Sequence, residues 1–412
     1  MSAATRAAAV ELRPWQPHAW GLTAVGAGLA GVVVGLVLAL TLQRDTLAPY
    51  RYHLWRWQAE TVPSLMLQVA GLERRPSLEE QQRAIEAYFA ITSRIRAEQE
   101  FPDPDIALID ALVRERAAYE GTVEFAIRER VRKAIEAAGL AEPLPLFGGV
   151  RLVWPPVAFE LTSPPQLLVV SPRHRIERIR NVLLKDGLKL SEIEAIEART
   201  DTPQQVSIVV PLGGIAAYPA IVRDDRSYAS LVETAAHEWV HHYLAFYPLG
   251  LSWLQGTEGE ILNETTANIA GQRLARIVAE LFPTSLPPGA DGSAPSRPPP
   301  SIDFQAEMRA LRLEVDRLLA EGRIAEAEAA MEAKRRYFAE HGIPIRKINQ
   351  AYFAFYGTYA DQPAASSPIG PKIERVAELS GDVGTFLRLM REVRSERDLD
   401  ALLARLERAA GR

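Results

Sequence analysis

The strongest constraint on the fold is an uncharged apolar run near the N-terminus, Gly21–Gln43, with the sequence GLTAVGAGLAGVVVGLVLALTLQ. A helix rises about 1.5 Å per residue, so a run of this length can cross a hydrocarbon core of about 30 Å. The run is longer than the apolar part of a cleaved signal peptide, and no clear cleavage site follows it. We therefore expect segment 1–45 to carry one uncleaved transmembrane span.

The residues on either side of this run fit two membrane–water interfaces, where tryptophan and tyrosine are enriched. These aromatic residues are Trp15 and Trp20 before the run, and Tyr50, Tyr52, Trp55 and Trp57 after it. Arginines also lie on both sides of the run. The positive-inside rule therefore gives no orientation for the span.

The composition excludes two kinds of site. The formal net charge of −5 and the isoelectric point near 5.9 argue against nucleic acid as a partner, because nucleic-acid-binding proteins usually present a basic face. The chain has no cysteine, which excludes disulfides and thiolate metal sites. Any metal must therefore be held by His, Asp or Glu side chains.

The first region after the span, residues 46–148, has helical patterning and no cluster of reactive side chains. Ser77 followed by Glu80 is a capping pattern at the start of an apolar helical repeat. Gly139 is a stop signal at the far end. We expect this region to be a helical stalk or a cover for the following domain.

The next region, residues 149–282, mixes strands and helices. Short β-branched runs separated by prolines indicate strands, and the segments 175–187 and 190–200 indicate helices. Strand-like runs around Gly213 and Gly214 precede two long helices, at about 227–247 and 258–282. Strands followed by helices indicate an α+β fold with a small antiparallel sheet, and the chain as a whole should be mainly α-helical.

The rest of the chain is divided by a proline-rich segment. Residues 283–301 contain seven prolines, which excludes a helix or a sheet interior and indicates a linker. Residues 302–412 are again helical and begin with a hairpin that turns at Gly322. We expect them to form a C-terminal helical subdomain.

The chemistry is concentrated in HEWVH, where His237, Glu238 and His241 form an H-E-x-x-H pattern. Residues four apart lie on one face of a helix, so the two imidazoles can bind one Zn²⁺. Glu238 can then act as the general base for a metal-activated water and pass the proton to a leaving amine. His242 points about 100° away from His241 and is expected to be a neighbour rather than a ligand.

A third ligand is expected from the next helix. Glu260, Glu264 and Asn268 follow one another at four-residue steps on one face. Glu264 as ligand gives a His₂Glu site with an open position, which is the arrangement of catalytic zinc, and Glu260 is the alternative. Asn268, one turn beyond Glu264, can accept a hydrogen bond from the far nitrogen of a liganding histidine.

HEWVH followed by NETTAN resembles the gluzincins, the thermolysin-like metallopeptidases, whose pattern is H-E-x-x-H and then N-E-x-x-x-D on the next helix. The resemblance implies zinc on His237, His241 and Glu264, with Glu238 as the base and peptide or protein as the substrate. Asn268 stands where the pattern has Asp. More narrowly, the arrangement over about residues 225–395, through INQAYFAFYGTYA and the terminal helices, is similar to a group of predicted bacterial aminopeptidases.

The same resemblance implies two further elements of the site. One is an edge strand that binds extended substrate before the motif helix, and Gly213–Val222 occupies that place. The other is a residue that stabilises the oxyanion, for which Tyr352, Tyr356 and Tyr359 are candidates and Tyr356 is preferred. The Gly-x-Met-Glu-Asn element of one aminopeptidase family is absent, so the choice between endo- and exopeptidase stays open.

These patterns predict a membrane-anchored zinc metallopeptidase. The catalytic domain is expected outside the cytoplasm, because a lone N-terminal span followed by a large hydrolase domain is a common export arrangement. A non-catalytic membrane-anchored scaffold with a retained or degenerate zinc site is the main alternative, and a zinc hydrolase of another substrate class is a further one.

Overall fold

The computed structural model of the protein describes residues 46–101, 103–143, 151–286, 302–357 and 367–411. The predicted span at 21–43, most of the predicted linker at 283–301, and Tyr359 lie outside the described residues. Within the described ranges, no helix combines the length and the apolar character needed to cross a membrane. The chain divides between Pro49 and Tyr50, and the fold below is that of the second unit, Tyr50–Arg412.

The helices of the second unit are α1 (Leu54–Ala70), α2 (Leu78–Gln99), α3 (Ile106–Ala137), α4 (Leu190–Thr200), α5 (Tyr228–Leu244), α6 (Pro248–Ser252), α7 (Thr257–Leu281), α8 (Phe304–Ala320), α9 (Ile324–Glu340), α10 (Gln350–Tyr356), α11 (Ile369–Leu379), α12 (Val383–Met390) and α13 (Glu396–Ala410). The strands are β1 (Glu142–Pro143), β2 (Arg151–Leu152), β3 (Phe159–Leu161), β4 (Gln166–Pro172), β5 (Arg180–Leu184), β6 (Gln205–Pro211), β7 (Gly214–Ile215) and β8 (Ala220–Val222). The protein is thus mainly helical with small sheets, which confirms the predicted α+β class.

The N-terminal helices begin and end where the local signals place them. The Ser77 hydroxyl accepts a hydrogen bond from the Glu80 backbone N–H, and the Glu80 carboxylate accepts one from the Ser77 N–H, which confirms the capping box. Helix α3 ends just before Gly139, whose φ of 69° is left-handed. Helices α2 and α3 pack on each other, and α3 also packs on α5 and α7 within the main core. This packing is that of a cover and not of a projecting stalk.

Two three-stranded sheets lie beside these helices. The first has the order β5–β4–β6 and is antiparallel throughout, with Leu168 of β4 opposite Val182 on one side and Val209 on the other. The second has the order β3–β8–β7, in which β3 and β8 run parallel and β7 is an antiparallel edge strand. The pair β1–β2 is antiparallel.

The helix predicted for residues 175–187 is wrong, because this segment contains strand β5. Arginine, leucine and lysine favour a helix in isolation. In the fold, however, Val182 and Leu184 are buried and Leu183 between them is only half-buried, which is the two-residue period of a strand. Pairing with β4 satisfies the backbone, and this tertiary contact outweighs the local preference.

The C-terminal region divides between two cores. Helices α8 and α9 form the predicted hairpin, which turns at Gly322 with a φ of 74°, and they pack with α10 in a separate apolar cluster. Helix α10 also covers the sheet β5–β4–β6. Helices α11, α12 and α13 instead join the main core against α7. The region 302–412 is therefore not one separate subdomain.

Candidate metal centre

The motif helix α5 is fixed in rotation by its buried face. Its N-terminus is capped by the Ser227 side chain, which accepts a hydrogen bond from the Ser230 N–H at 3.3 Å. Trp239 is fully buried, and its indole N–H donates to the Pro155 carbonyl at 2.8 Å. Burying Trp239 turns the face that carries His237 and His241 towards α7, which packs along α5.

Three ligand atoms converge between these two helices. The Nε2 atoms of His237 and His241 are 3.0 Å apart, and they lie 3.5 Å and 3.6 Å, respectively, from Oε2 of Glu264. In a tetrahedral site with zinc–ligand bonds of about 2.0–2.2 Å, ligand atoms are separated by about 3.3–3.6 Å. The three side chains form the metal-ligand cluster found within the described residues. The two distances to Glu264 lie in this range and the distance between the two nitrogens is somewhat shorter, so a small side-chain adjustment completes a site for one metal ion.

The Glu264 carboxylate gives a second test of this fit. Its Oε2 atom is buried and has no hydrogen-bond partner, and its distances to the two Nε2 atoms are longer than ordinary hydrogen bonds. A buried carboxylate oxygen without a hydrogen-bond donor is energetically unfavourable unless a cation lies next to it. Burial alone would raise the pKa of Glu264, but the adjacent imidazoles of His241 and His237 hold it well below its ordinary value.

The ring of His241 is oriented by a residue that the sequence analysis did not assign. Its Nδ1 donates to Oδ1 of Asn263 at 2.7 Å, which directs Nε2 at the ligand cluster. Burial disfavours the charged ring, but Glu264 and Asn263 together raise the pKa of His241 to about 9. The only sequence signal for Asn263 was its place beside Glu264 in the N-E pair.

Asn268 was predicted to make this kind of contact. It is half-buried one turn beyond Glu264, whereas the Nδ1–H of His241 donates to Asn263 on the preceding turn. A role for Asn268 beside His237 stays a prediction.

Glu238 lies beside the ligand cluster and lines the same cavity. Its Oε1 atom packs so closely on β7 that a Cβ atom at Gly214 would lie 2.3 Å from it. The carboxyl group is buried, and burial raises its pKa, with Glu264 adding to the effect and the two imidazoles opposing it. The proposed base is thus held between the motif helix and the edge strand.

The ligand cluster opens into a cavity of about 570 Å³ between α5 and α7 on one side and the sheet β5–β4–β6 on the other. Arg178, from the β4–β5 connection, is the only Arg or Lys among the described residues that line it, and it pairs with Glu260. The guanidinium also lies 5.7 Å from the ring centre of Phe355. Glu260, the alternative third ligand, is therefore engaged by a cation, whereas Glu264 faces the histidines.

The structure does not bring Tyr356 to this cavity. Helix α10 presents Phe355 to the cavity, and the next residue of a helix points about 100° away. The ring of Tyr356 packs instead on Tyr352, with ring centres 4.5 Å apart, and on Phe355. Burial raises the pKa of Tyr356. The predicted oxyanion role thus has no support from the position of this side chain.

His242 lies outside the ligand cluster, as predicted. Its Nε2 donates to the carbonyl of Ala217 at 2.6 Å, and the ring of Tyr218 meets it edge-on at 5.0 Å between centres. Burial lowers the pKa of His242 to about 4, so the ring is neutral. The third histidine of the motif therefore ties the β7–β8 hairpin to α5.

The spacing of α5 and α7 is set by a glycine. A Cβ atom at Gly271 would lie 3.1 Å from the backbone nitrogen and Cα of His237. The two helices thus approach closely at the turn that carries the first ligand.

Comparisons with known proteins add no family assignment. No protein-family model matches the chain, and no curated protein and no solved structure is significantly similar to it.

Proposed function

We propose that this protein is a membrane-anchored zinc peptidase that hydrolyses peptide bonds with a metal-activated water. One observation carries the proposal: two histidine nitrogens and an unpartnered buried carboxylate oxygen converge in a cavity that also holds a buried glutamate. A structural metal site is closed by protein ligands, whereas three ligands next to a cavity leave a position for water and substrate.

His237, His241 and Glu264 would hold the metal. A bound Zn²⁺ supplies Lewis acidity, which activates water and polarises the carbonyl of the peptide. Asn263 keeps His241 in the tautomer that offers Nε2 to the metal.

Glu238 would move the proton. Its carboxylate accepts the proton of the attacking water and then delivers it to the amine of the departing product. Its burial favours this role, because a raised pKa brings the carboxyl closer to the pH at which a group both takes up and releases a proton.

The edge strand β7 would bind the substrate backbone. It lies at the edge of its sheet and meets Glu238 at Gly214, so an extended peptide paired with it would pass next to the base. Apolar side chains such as Leu183, Ile215 and Phe355 line the cavity and favour an apolar substrate side chain. Arg178 offers N–H donors to a substrate carbonyl.

The membrane anchor in this proposal is the apolar run 21–43, with the catalytic unit outside the cytoplasm. A protease-protection assay on intact cells tests the orientation. Digestion of the catalytic unit by protease added outside is expected, and protection in intact cells together with digestion after lysis would reverse the assignment.

Metal analysis and hydrolysis of a peptide library by the purified protein test the function. We expect about one zinc per chain and turnover that a chelator abolishes and added zinc restores. Zinc without turnover of any peptide would instead support the scaffold function, and protein that binds no zinc would exclude the peptidase.

A further inference from the structure

Helix α1 presents an apolar stripe to solvent. Trp55, Val62 and Met66 are spaced seven and four residues apart, which places them on one face, and all three are exposed, with Trp55 at 63% and Met66 at 66%. Water-exposed apolar residues are common singly, but an aligned set on one helix face marks a contact surface.

A second exposed apolar group follows the motif helix. Phe246, Leu251 and Leu254 lie between α5 and α7, and Leu254 is 85% exposed. Between Leu251 and Leu254, Trp253 lines the catalytic cavity, with its ring centre 5.8 Å from that of His241. This group therefore lies next to the cavity.

Residues next to the two groups line cavities in two places. Leu54, at the start of α1, and Trp253 line the same cavity. Near the other end of α1, Gln68 and Trp154 line a second cavity of about 490 Å³, and the exposed Trp154 ring lies 6.3 Å from Phe246. The exposed apolar residues thus border the two cavities that α1 lines. We call this set the rim patch; it consists of Trp55, Met66, Trp154, Phe246, Leu251 and Leu254.

We propose that the rim patch rests on the surface of a lipid bilayer, so that the catalytic cavity opens towards the membrane and takes peptide segments presented there. This inference rests on the proposed anchor and on the proposed peptidase function. It adds a second membrane contact, made by the catalytic unit itself, and narrows the substrate to membrane-associated proteins.

The length of chain before α1 favours the bilayer as the occupant. The predicted span ends at Gln43, and the chain is already fixed to β5 at Tyr50 and Tyr52, whose backbone groups hydrogen-bond with Lys185 and Leu183. The six residues between Gln43 and Tyr50 can extend over at most about 21 Å. A tether of that length keeps α1 near the bilayer and gives the bilayer a high effective concentration at the patch. Two of the six patch residues are tryptophans, which favour the membrane–water interface.

The chain has no cysteine, so a single introduced cysteine can be labelled uniquely with a nitroxide. We would label Met66→Cys and Leu254→Cys in the full-length protein in phosphatidylcholine–phosphatidylglycerol nanodiscs. Leu313→Cys is the matched control, because Leu313 is also an exposed apolar helix residue but lies on α8, which packs in the separate cluster.

The measurement is the accessibility of each nitroxide to apolar oxygen and to a water-soluble nickel complex. We expect the ratio of oxygen to nickel accessibility at positions 66 and 254 to exceed that at 313 at least fivefold. Equal ratios at all three positions would overturn the proposal. Protection of 66 and 254 from both reagents would also overturn it, because protein, such as a second copy of the chain, would then cover the patch. A chain that does not stay with the nanodiscs would remove the tether and refute it as well.

This readout contains no catalysis, so it separates the rim patch from the peptidase function. If the nitroxides at positions 66 and 254 face water in a protein that hydrolyses peptides, only the bilayer contact is refuted. If they face lipid in a protein without peptidase activity, only the peptidase function is refuted. In active protein, the pair Met66→Ser and Leu254→Ser should slow cleavage of a bilayer-tethered peptide about tenfold and leave a soluble peptide unaffected. Equal effects on both peptides would contradict the docking.

Discussion

Two buried glutamates with raised pKa values, Glu238 and Glu124, lie in different settings. Glu124 on α3 accepts a hydrogen bond from the Leu161 N–H at 2.6 Å and lies 4.0 Å from the Arg128 guanidinium. Burial and the neighbouring Glu160 raise the pKa of Glu124 to about 8. Glu238 also has a pKa raised by burial, but it lines the cavity beside the ligand cluster.

The difference shows which property indicates a site. Both glutamates are buried and have shifted pKa values, so neither property is sufficient to indicate a functional site. The carboxylate of Glu124 is satisfied by backbone and connects α3 to β3. Around Glu238, a cavity adjoins a carboxylate oxygen of Glu264 that lacks a donor and two imidazole nitrogens 3.0 Å apart. A candidate site is indicated where polar groups without hydrogen-bond partners converge on a cavity. A buried group whose hydrogen bonds are made, such as Glu124, instead stabilises the fold.

Removing a proposed zinc ligand should have the largest effect on metal binding and activity, whereas the same measurements should not change when Glu124 is replaced. His241→Ala is expected to abolish zinc binding at micromolar metal and to lower kcat/KM by at least about 10³-fold, because Lewis acidity contributes several kcal/mol. Metal content by mass spectrometry and peptide hydrolysis measure the two effects. Glu124→Gln is the control and should keep both; full zinc content in His241→Ala would contradict the ligand assignment.

The same isosteric change at the two glutamates sharpens the comparison. Glu238→Gln should lower kcat about 10²–10⁴-fold, since the amide cannot accept the proton, and zinc content should be unchanged. Glu124→Gln should retain wild-type kcat. Steady-state kinetics with metal analysis on both variants is the measurement, and equal activities in the two variants would remove Glu238 from the mechanism.

Loss of the Asn263 side chain, which orients His241, should lower the affinity for zinc without abolishing binding. Asn263→Ala is expected to lower zinc affinity about 10–100-fold, as is usual when a hydrogen-bond partner of a liganding histidine is lost. Competition with a chelator at fixed pH measures the affinity. Asn263→Asp keeps the acceptor and should retain tight binding; an alanine variant with unchanged affinity would mean that the 2.7 Å contact does not orient the ring.

The smallest effect is expected in the stability at Glu124. The pKa of Glu124 is raised in the folded state, so its protonated carboxyl favours folding. This contribution to the free energy of unfolding is complete below the unfolded-state pKa of about 4.5 and is lost as the pH rises through about 8. Glu124→Gln resembles the protonated form at every pH. It should therefore gain on the order of 1–3 kcal/mol relative to wild type between pH 5 and pH 8. Urea unfolding at both pH values tests this, and a pH-independent difference would contradict it.

Local signals in the sequence predicted much of the site. The four-residue spacing of His237 and His241 defines one helix face, and the step to Glu264 leaves room for a turn between two helices. The capping box at Ser77 and the turn at Gly322 also depend on residues close in sequence, and the structure confirms both. Each of these features is decided within a few residues.

What the sequence could not predict depends on contacts between distant residues. Strand β5 exists because β4 pairs with it, and β3 runs parallel to β8 across about sixty residues. Asn263 meets His241 because the rotation of α7 is set by its packing on α5. The side chains of α10 that reach the cavity are likewise decided by how α10 lies on the sheet.

Gly271 lowers the local stability of α7 but allows the close approach to α5 that places the ligand side chains. Alanine there would favour the helix by about 1 kcal/mol, yet its methyl group would meet the backbone of His237 at 3.1 Å. That backbone has no flexible end to move aside, so the helices would have to separate by tenths of an ångström and carry the ligands apart. Alanine at Gly271 would therefore gain helix propensity and lose packing between α5 and α7, so stabilisation guided by propensity alone would fail at this position.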